Sequence, residues 1–277
     1  MNSLSLMAIF AHPDDESFGN GGTLAKYAEQ GVFTSLVTAT RGEAGEISDP
    51  SLATPDNLGQ VREQELRLAC SILGIRELRL LDYVDGTLMG IDQQECEGKM
   101  VRAIRELRPQ VIITFGPEGV YGHPDHVAVS RMATSAFHSA GDPSAFPEQI
   151  EEGLKPWIAL KLYYVAPPRE RFQRMGEYAA QLLPDTTWID RDWTSFGVPE
   201  ERITTCVDVG RYIDTKLAAI SAHQTQVMPN HPYSFLPRDA VREFFREECY
   251  VLAESRVGRP QGREADLFRG IVGAPNP

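Results

Sequence analysis

Cysteine, positive charge and long apolar runs are all scarce in this sequence. The four cysteines, Cys70, Cys96, Cys206 and Cys249, stand far apart and form no Cys-x-x-Cys pair. Such spacing suggests neither a disulfide framework nor a cysteine zinc site, and reads as small buried side chains in a reducing compartment. Lys and Arg number 27 against 39 Asp and Glu, for a formal charge of −12. That balance argues against general attraction to nucleic-acid phosphate or anionic lipid. No stretch approaches the roughly 20 apolar residues of a membrane span. The first apolar run has no basic residues before it and stops at His12-Pro13-Asp14-Asp15, so no signal segment is read there and the protein is expected to be cytosolic. Internal repeats and low-complexity blocks are also missing.

Hydrophobic residues make up 42% of the 277, enough to close the core of one large α/β domain without external staples. The first half alternates in character. Strand-like runs cover Leu4 to Ala11, Val32 to Thr40, Leu78 to Leu81 and Val111 to Phe115. Helix-like stretches between them cover Gly21 to Gln30, Asn57 to Leu73, Cys96 to Leu107 and Val127 to Ser139. Strands and helices alternating at this spacing predict βαβ units and a mostly parallel sheet with right-handed crossovers. The fold class expected is α/β, a Rossmann-like three-layer sandwich with strand order 3-2-1-4-5.

The chain is read as a single domain over residues 1–277. Residues 1–140 form the core and residues 141–201 a variable insertion or lid. Residues 202–256 add a completing strand, Ile203 to Val209, and a helix, Arg211 to Gln226. Residues 257–277 are read as a loose tail rich in Gly, Pro and Arg. Lys161 to Val165 reads as one more strand inside the insertion, and Trp157, Trp188 and Trp193 as core fillers rather than sugar-stacking platforms.

Two clusters of chemistry-bearing residues each follow a predicted strand. Ala11-His12-Pro13-Asp14-Asp15-Glu16 follows the first, and Tyr121-Gly122-His123-Pro124-Asp125-His126 lies after the fourth. In the expected order, strands one and four are neighbours, and the crevice beyond their carboxyl ends is the switch point where ligands bind. Either cluster alone is an ordinary turn or helix cap. Together they would face each other across the crevice. Imidazole and carboxylate donors suit zinc, with iron(II) or another divalent ion as alternatives. A catalytic zinc takes about three protein ligands and leaves a position for water. His12, Asp15 and His126 would supply three. Asp14 then remains as a general base, and His123 as a group to stabilise an oxyanion or protonate a leaving amine.

The run Gly19-Asn20-Gly21-Gly22 invites comparison with a dinucleotide fingerprint, but the third glycine would fall at Leu24 and the preceding turn holds His12 to Glu16. No Walker-type loop is present, and Ser17 lacks the Gly-x-Ser-x-Gly context of a nucleophile.

These two clusters, together with Thr40-Arg41-Gly42-Glu43-Ala44-Gly45-Glu46, resemble the LmbE-like, or PIG-L, deacetylase family. The likeness runs through roughly residues 4–140 and resumes at Lys216 to Gln226, which resembles the late helix of the mycothiol- and bacillithiol-pathway deacetylases. The resemblance implies a zinc-dependent hydrolase that removes acetyl from an N-acetylglucosamine conjugate. It implies His12, Asp15 and His126 as metal ligands, Asp14 as general base, and His123 as the residue assisting the tetrahedral intermediate. Asp125 is implied to orient His123, and Tyr121 to support the transition state. Arg62 matches a substrate-contacting arginine, set against the plainer reading of a solvated helix face. Glu43 and Asp85 are further candidates for substrate contact. His223 reads as a packing or hydrogen-bonding helix residue, and His138 as a helix-face residue. The expected partner is a small amino-sugar substrate, with no nucleic acid and no membrane, and homo-oligomerisation left open. Two other readings remain. One is an amidase for a larger acylated amino sugar, such as a thiol-cofactor conjugate or glycopeptide. The other is a metal- or sugar-binding protein without turnover.

Overall fold

The computed structural model describes residues 4–182, 196–228 and 236–271. Seven strands form one sheet: β1 (Ser5–Phe10), β2 (Phe33–Thr40), β3 (Glu77–Tyr83), β4 (Val111–Phe115), β5 (Lys161–Val165), β6 (Thr205–Asp208) and β7 (Glu247–Ser255). The helices are α1 (Asp15–Glu29), α2 (Leu58–Leu73), α3 (Gln93–Leu107), a short distorted α4 (Gly119–Gly122), α5 (Pro124–Ser139), α6 (Pro147–Glu151), α7 (Arg169–Leu182), α8 (Ile213–Ala222) and α9 (Arg238–Phe244). No helix among the described residues is long and apolar enough to cross a membrane.

The sheet order is β3-β2-β1-β4-β5-β7-β6. The expected 3-2-1-4-5 portion is parallel throughout. β1 and β4 are buried along their whole length, as central strands must be when helices cover both faces of a parallel sheet. The sheet then continues through β7, antiparallel to β5, and ends on β6. β7 was not anticipated. Its stretch opens on Glu247-Glu248 and carries Glu254, so its strand-like Cys249-Tyr250-Val251-Leu252 is framed by residues poor in β propensity.

Three further expectations are corrected. Helix α1 begins at Asp15 rather than Gly21. Gly19, Gly21 and Gly22 looked like a turn because glycine is a poor helix former. Gly22 is nevertheless required inside the helix, since a Cβ there would lie 2.6 Å from Val209 Cβ. From Glu264 the tail packs against the core as far as the description extends. Leu267 and Phe268 are fully buried, Tyr27 donates its hydroxyl to Asp266, and Glu264 accepts from Lys161 Nζ and Tyr163 Oη in the interior. Finally, the cysteines are not all free. Cys206 and Cys249, directly opposed in the β6–β7 ladder, form a disulfide, whereas Cys70 and Cys96 are free and buried. Chain distance concealed the pair, because only the unforeseen β7 brings Cys249 beside β6.

The insertion contains α6, β5 and α7. Trp157 packs against the core and donates Nε1–H to the Pro109 carbonyl; Trp188, Trp193 and His231 lie outside the described residues.

Candidate active site

The turn after β1 and the loop after β4 meet at the carboxyl ends of these adjacent strands. Asp14 occupies the N-cap position of α1 at φ 115°, a region costly for a residue with a side chain. Its amide N–H donates to Glu16. Asp15 and Glu16 lie in the first turn of α1, where negative charge is favoured by the helix dipole. On the facing loop, His123 caps α5, its Nδ1 accepting the Asp125 N–H, and Pro124 starts the helix. Val120, at φ 66°, is a second strained position for a β-branched residue and directly precedes Tyr121.

His12, Asp15 and His126 converge. His126 Nε2 is 3.3 Å from His12 Nδ1 and 3.3 Å from Asp15 Oδ1, and His12 Nδ1 is 3.6 Å from Asp15 Oδ2. Four donors around zinc at about 2.0–2.1 Å are separated from one another by about 3.4 Å in a tetrahedron. Each of these spacings is close to that edge length, with Asp15 meeting the two histidines through different carboxylate oxygens. Both rings are turned to offer a lone pair inward. His12 Nε2 faces Asp85 Oδ1 at 2.9 Å and Asp125 Oδ2 at 3.4 Å, leaving Nδ1 for the triangle. His126 Nδ1 faces the Gly119 carbonyl, leaving Nε2, and its ring is stacked on Phe115 at 3.9 Å. A carboxylate behind a histidine is the usual device for orienting a metal ligand.

The two rings carry opposite electrostatic surroundings. Burial lowers His12, but hydrogen bonds to Asp125 and Asp85 and the charge of Asp15 outweigh it and raise the ring to about 10. Burial, then the charges of His12 and His123, push His126 down to about 3. The carboxylates around His12 thus favour positive charge there, and His126 is held as a neutral imidazole. His12, His123 and His126 also place a ring nitrogen each within 4.8 Å of one another, so His123 borders the same point.

The remaining candidates take positions that sequence reading did not foresee. Asp125 was expected to orient His123, and its amide does donate to His123 Nδ1, but its carboxylate is used elsewhere. That carboxylate accepts from the Gly86 and Leu88 N–H groups and faces His12. Asp85, expected against substrate, holds His12 from behind and accepts the Ala44 N–H. Glu43 accepts the Asp85 N–H, so it supports the loop that carries Asp85.

Arg62 is no solvated helix residue. It is buried, donates to the Gly42 and Pro13 carbonyls, and pairs with Asp14 Oδ2 at 3.0 Å. Glycine at 42 and 45 makes room for it, since a Cβ at either position would fall within 2.6 Å of the guanidinium. Glu16 and His223 form a buried pair at 2.8 Å. Glu16 is therefore engaged in structure, and His223 is a hydrogen-bonding residue, as its helical context suggested. His138 lies on a helix surface near Glu254.

Two spaces meet at this point. A polar recess of about 390 Å³ is lined by residues including His12, Arg62, Asp85 and His123. A second cavity of about 360 Å³ is walled largely by aromatic and aliphatic side chains. Asp14, Asp15, Tyr121 and Gln226 border both. Tyr121 is half exposed and packs edge-on against His126. Gln226, Lys216 and Glu248 line these spaces but were not singled out. Gln226 ends the late segment of resemblance, whereas nothing in the local sequence marks Glu248.

Residues 7–137 match the family model described as PIG-L, GlcNAc-PI de-N-acetylase. A 1D-myo-inositol 2-acetamido-2-deoxy-alpha-D-glucopyranoside deacetylase from Thermobispora bispora is 36% identical, over 96% of this chain and 98% of its own. Among solved structures, N,N'-diacetylchitobiose deacetylase from Pyrococcus horikoshii is 21% identical with a TM-score of 0.62, covering 86% of this chain and 73% of its own. The 4-carboxy-2-hydroxymuconate hydratase from Pseudomonas putida reaches 0.63 at 19% identity, over 94% of this chain and 100% of its own. At such identities the structural likeness shows the fold alone, and the activity has to be argued from the site.

Proposed function

The chain belongs to the PIG-L family, and from that premise we propose that it is a metal-dependent N-deacetylase acting on an N-acetylglucosamine conjugate. His12, Asp15 and His126 hold one divalent ion, with zinc preferred by the donor set and iron(II) the alternative. One observation carries this reading: ring nitrogens of His12 and His126 lie 3.3 Å apart with a carboxylate oxygen of Asp15 within 3.6 Å of each, and a second carboxylate, Asp14, is fixed beside them by Arg62. Binding alone would need no such group.

The ion supplies Lewis-acid polarisation of the acyl carbonyl and acidifies water when bound. The side chains do the rest. Asp14 accepts a proton from the attacking water as the new C–O bond forms. Burial raises its carboxyl to about 7 against the opposing charge of Arg62, a range suited to a general base. His123, with Nδ1 accepting the Asp125 amide N–H, borders the recess and stabilises the developing oxyanion, assisted by Tyr121. Asp85 and Asp125 orient His12. The C–N bond then breaks, the amine takes a proton from Asp14 or from His123, and acetate leaves. Arg62 acts by holding Asp14.

The substrate class follows from the polar recess and from the inositol glucosaminide named for the relative. The test is release of primary amine from N-acetylglucosamine joined to inositol, to malate and to a second sugar, with metal analysis of the same preparations. Asp14→Asn should retain the metal and lose about 10²–10⁴ in kcat, while His12→Ala, Asp15→Ala and His126→Ala should each lose the metal. Normal turnover by metal-loaded Asp14→Asn would remove Asp14 as the base, and full metal content in the three alanine variants would remove the ligand assignment.

A further inference from the structure

Helix α1 contains three glycines near the site, and they are not equivalent. A Cβ at Gly21 would press on Lys216 Cγ at 3.2 Å, and one at Gly22 would collide with Val209 at 2.6 Å; close packing requires both. At Gly19 a Cβ would meet only Val165 Cγ1, at 3.6 Å, an ordinary contact among the described residues. Glycine in mid-helix costs about 1 kcal/mol relative to alanine, and at position 19 packing does not explain that cost. What Gly19 does is leave bare one wall of the 360 Å³ cavity.

That cavity is lined mainly by apolar side chains, with Asn20, Arg171 and Gln226 among its polar ones. Phe18, Phe115, Val165, Phe172, Met175 and Phe245 line it. The buried charges on its wall, Lys216 and Glu248, neutralise each other at 2.7 Å, and Glu248 is further satisfied by the Gly22 and Thr23 N–H groups. One end of the cavity is formed by Asp14, Asp15, His126 and Tyr121, the groups beside the reacting carbonyl.

An amide has two arms. The hydroxyl-rich sugar on nitrogen suits the polar recess bordered by His123, Gly45 and Gln226, which leaves the apolar cavity for the arm on carbon. An acetyl group contributes a single methyl there, about the size of a water at roughly 30 Å³, and would leave most of the space unfilled. We propose that the cavity beside Gly19 is an acyl-chain site, so that this enzyme hydrolyses, besides the acetyl compound, N-acylglucosamine conjugates whose acyl group is a medium-length hydrocarbon chain. This rests on the amidohydrolase reading above. The reaction balances as before: water adds to the carbonyl carbon, the C–N bond breaks, the proton passes to the amine, and a fatty acid leaves instead of acetate.

The experiment measures amine release by the metal-loaded enzyme from N-acetyl-, N-butanoyl-, N-hexanoyl- and N-octanoylglucosamine conjugates with one aglycone. A second series holds the acyl group at acetyl and exchanges a methyl for an octyl aglycone. Each methylene moved from water into the cavity should raise kcat/KM about fourfold until the space is filled. Gly19→Leu, which places a side chain in the cavity at a helical position with ordinary backbone angles, should collapse the hexanoyl-to-acetyl ratio by at least tenfold. A ratio unchanged in Gly19→Leu, a rate that falls with every added methylene, or a gain that follows the aglycone instead of the acyl chain would each overturn the proposal. If the acetyl compound is hydrolysed while longer chains are not, the deacetylase reading stands and the acyl-chain site falls. If no member of either series releases amine, both fall.

Discussion

Arg62 is buried at 3% exposure, with its guanidinium spread over the Gly42 carbonyl, the Pro13 carbonyl and the Asp14 carboxylate. A buried guanidinium in that position does two things. It holds the turn that keeps Asp14 at its unfavourable φ, and its charge lowers the Asp14 pKa against the larger effect of burial. Arg62→Ala should therefore lower kcat rather than only raise KM, in contrast to a plain substrate contact. The sign of the pH effect follows. The base must be deprotonated, and removing Arg62 lets the Asp14 pKa rise, so the acidic limb of kcat/KM should move to higher pH. A pH–rate profile of the metal-loaded variant checks this, and a limb that stays in place with kcat intact would return Arg62 to simple substrate contact. Sequence reading singled out Arg62 but not its burial, because the two glycines that admit it lie in a different loop.

Helix α1 carries Asp14, Asp15 and Glu16 at its start, and in mid-course its Gly22 and Thr23 N–H groups donate to Glu248 at 3.0 and 2.7 Å. Lys216 of α8 pairs with the same carboxylate in the interior. A strand residue thus fixes one helix to another directly behind the site. Breaking a buried pair by removing one partner leaves a charge stranded in low dielectric, so Glu248→Ala should cost about 3–5 kcal/mol of stability. Replacing both partners, as in Lys216→Met with Glu248→Leu, should recover part of that loss. Denaturant unfolding of the single and double variants measures it, and equal losses in both would mean that the ion pair is not the source. The start of α1 was misread for a related reason: local propensity scores glycine against helix, whereas the contacts with Val209 and Lys216 that demand glycine come from residues far along the chain.

Across the whole molecule, the parallel half of the sheet follows the expected order and the antiparallel extension supplies what was missed. β7 joins β5 to the edge strand β6, carries Glu248 and Cys249, and brings Cys249 opposite Cys206. Closing a loop between residues 43 apart in sequence restricts the unfolded chain, and such cross-links typically contribute about 2–4 kcal/mol. Cys206→Ala with Cys249→Ala should lower unfolding stability by that amount under oxidising conditions, and the difference from wild type should vanish in excess dithiol. A wild type insensitive to reduction would show that the bond does not form in solution.

The sequence by itself determined the α/β alternation and the two histidine clusters at the ends of the first and fourth strands, whose adjacency it took from the fold class. These are local patterns, apolar periodicity and motifs at strand ends, and a general rule of parallel sheets converts them into a place. It also offered His12, Asp15 and His126 as one candidate ligand set, since their residue types suit one ion. Only the tertiary structure decided which group stands behind each of them. Asp85 and Asp125 turn out to orient His12, Arg62 to hold Asp14, and Glu16 to be engaged by His223. It alone also decided the disulfide and the apolar cavity. All of these depend on contacts between distant segments, and a side chain's partner is set by distance and burial in three dimensions, which no spacing along the chain encodes.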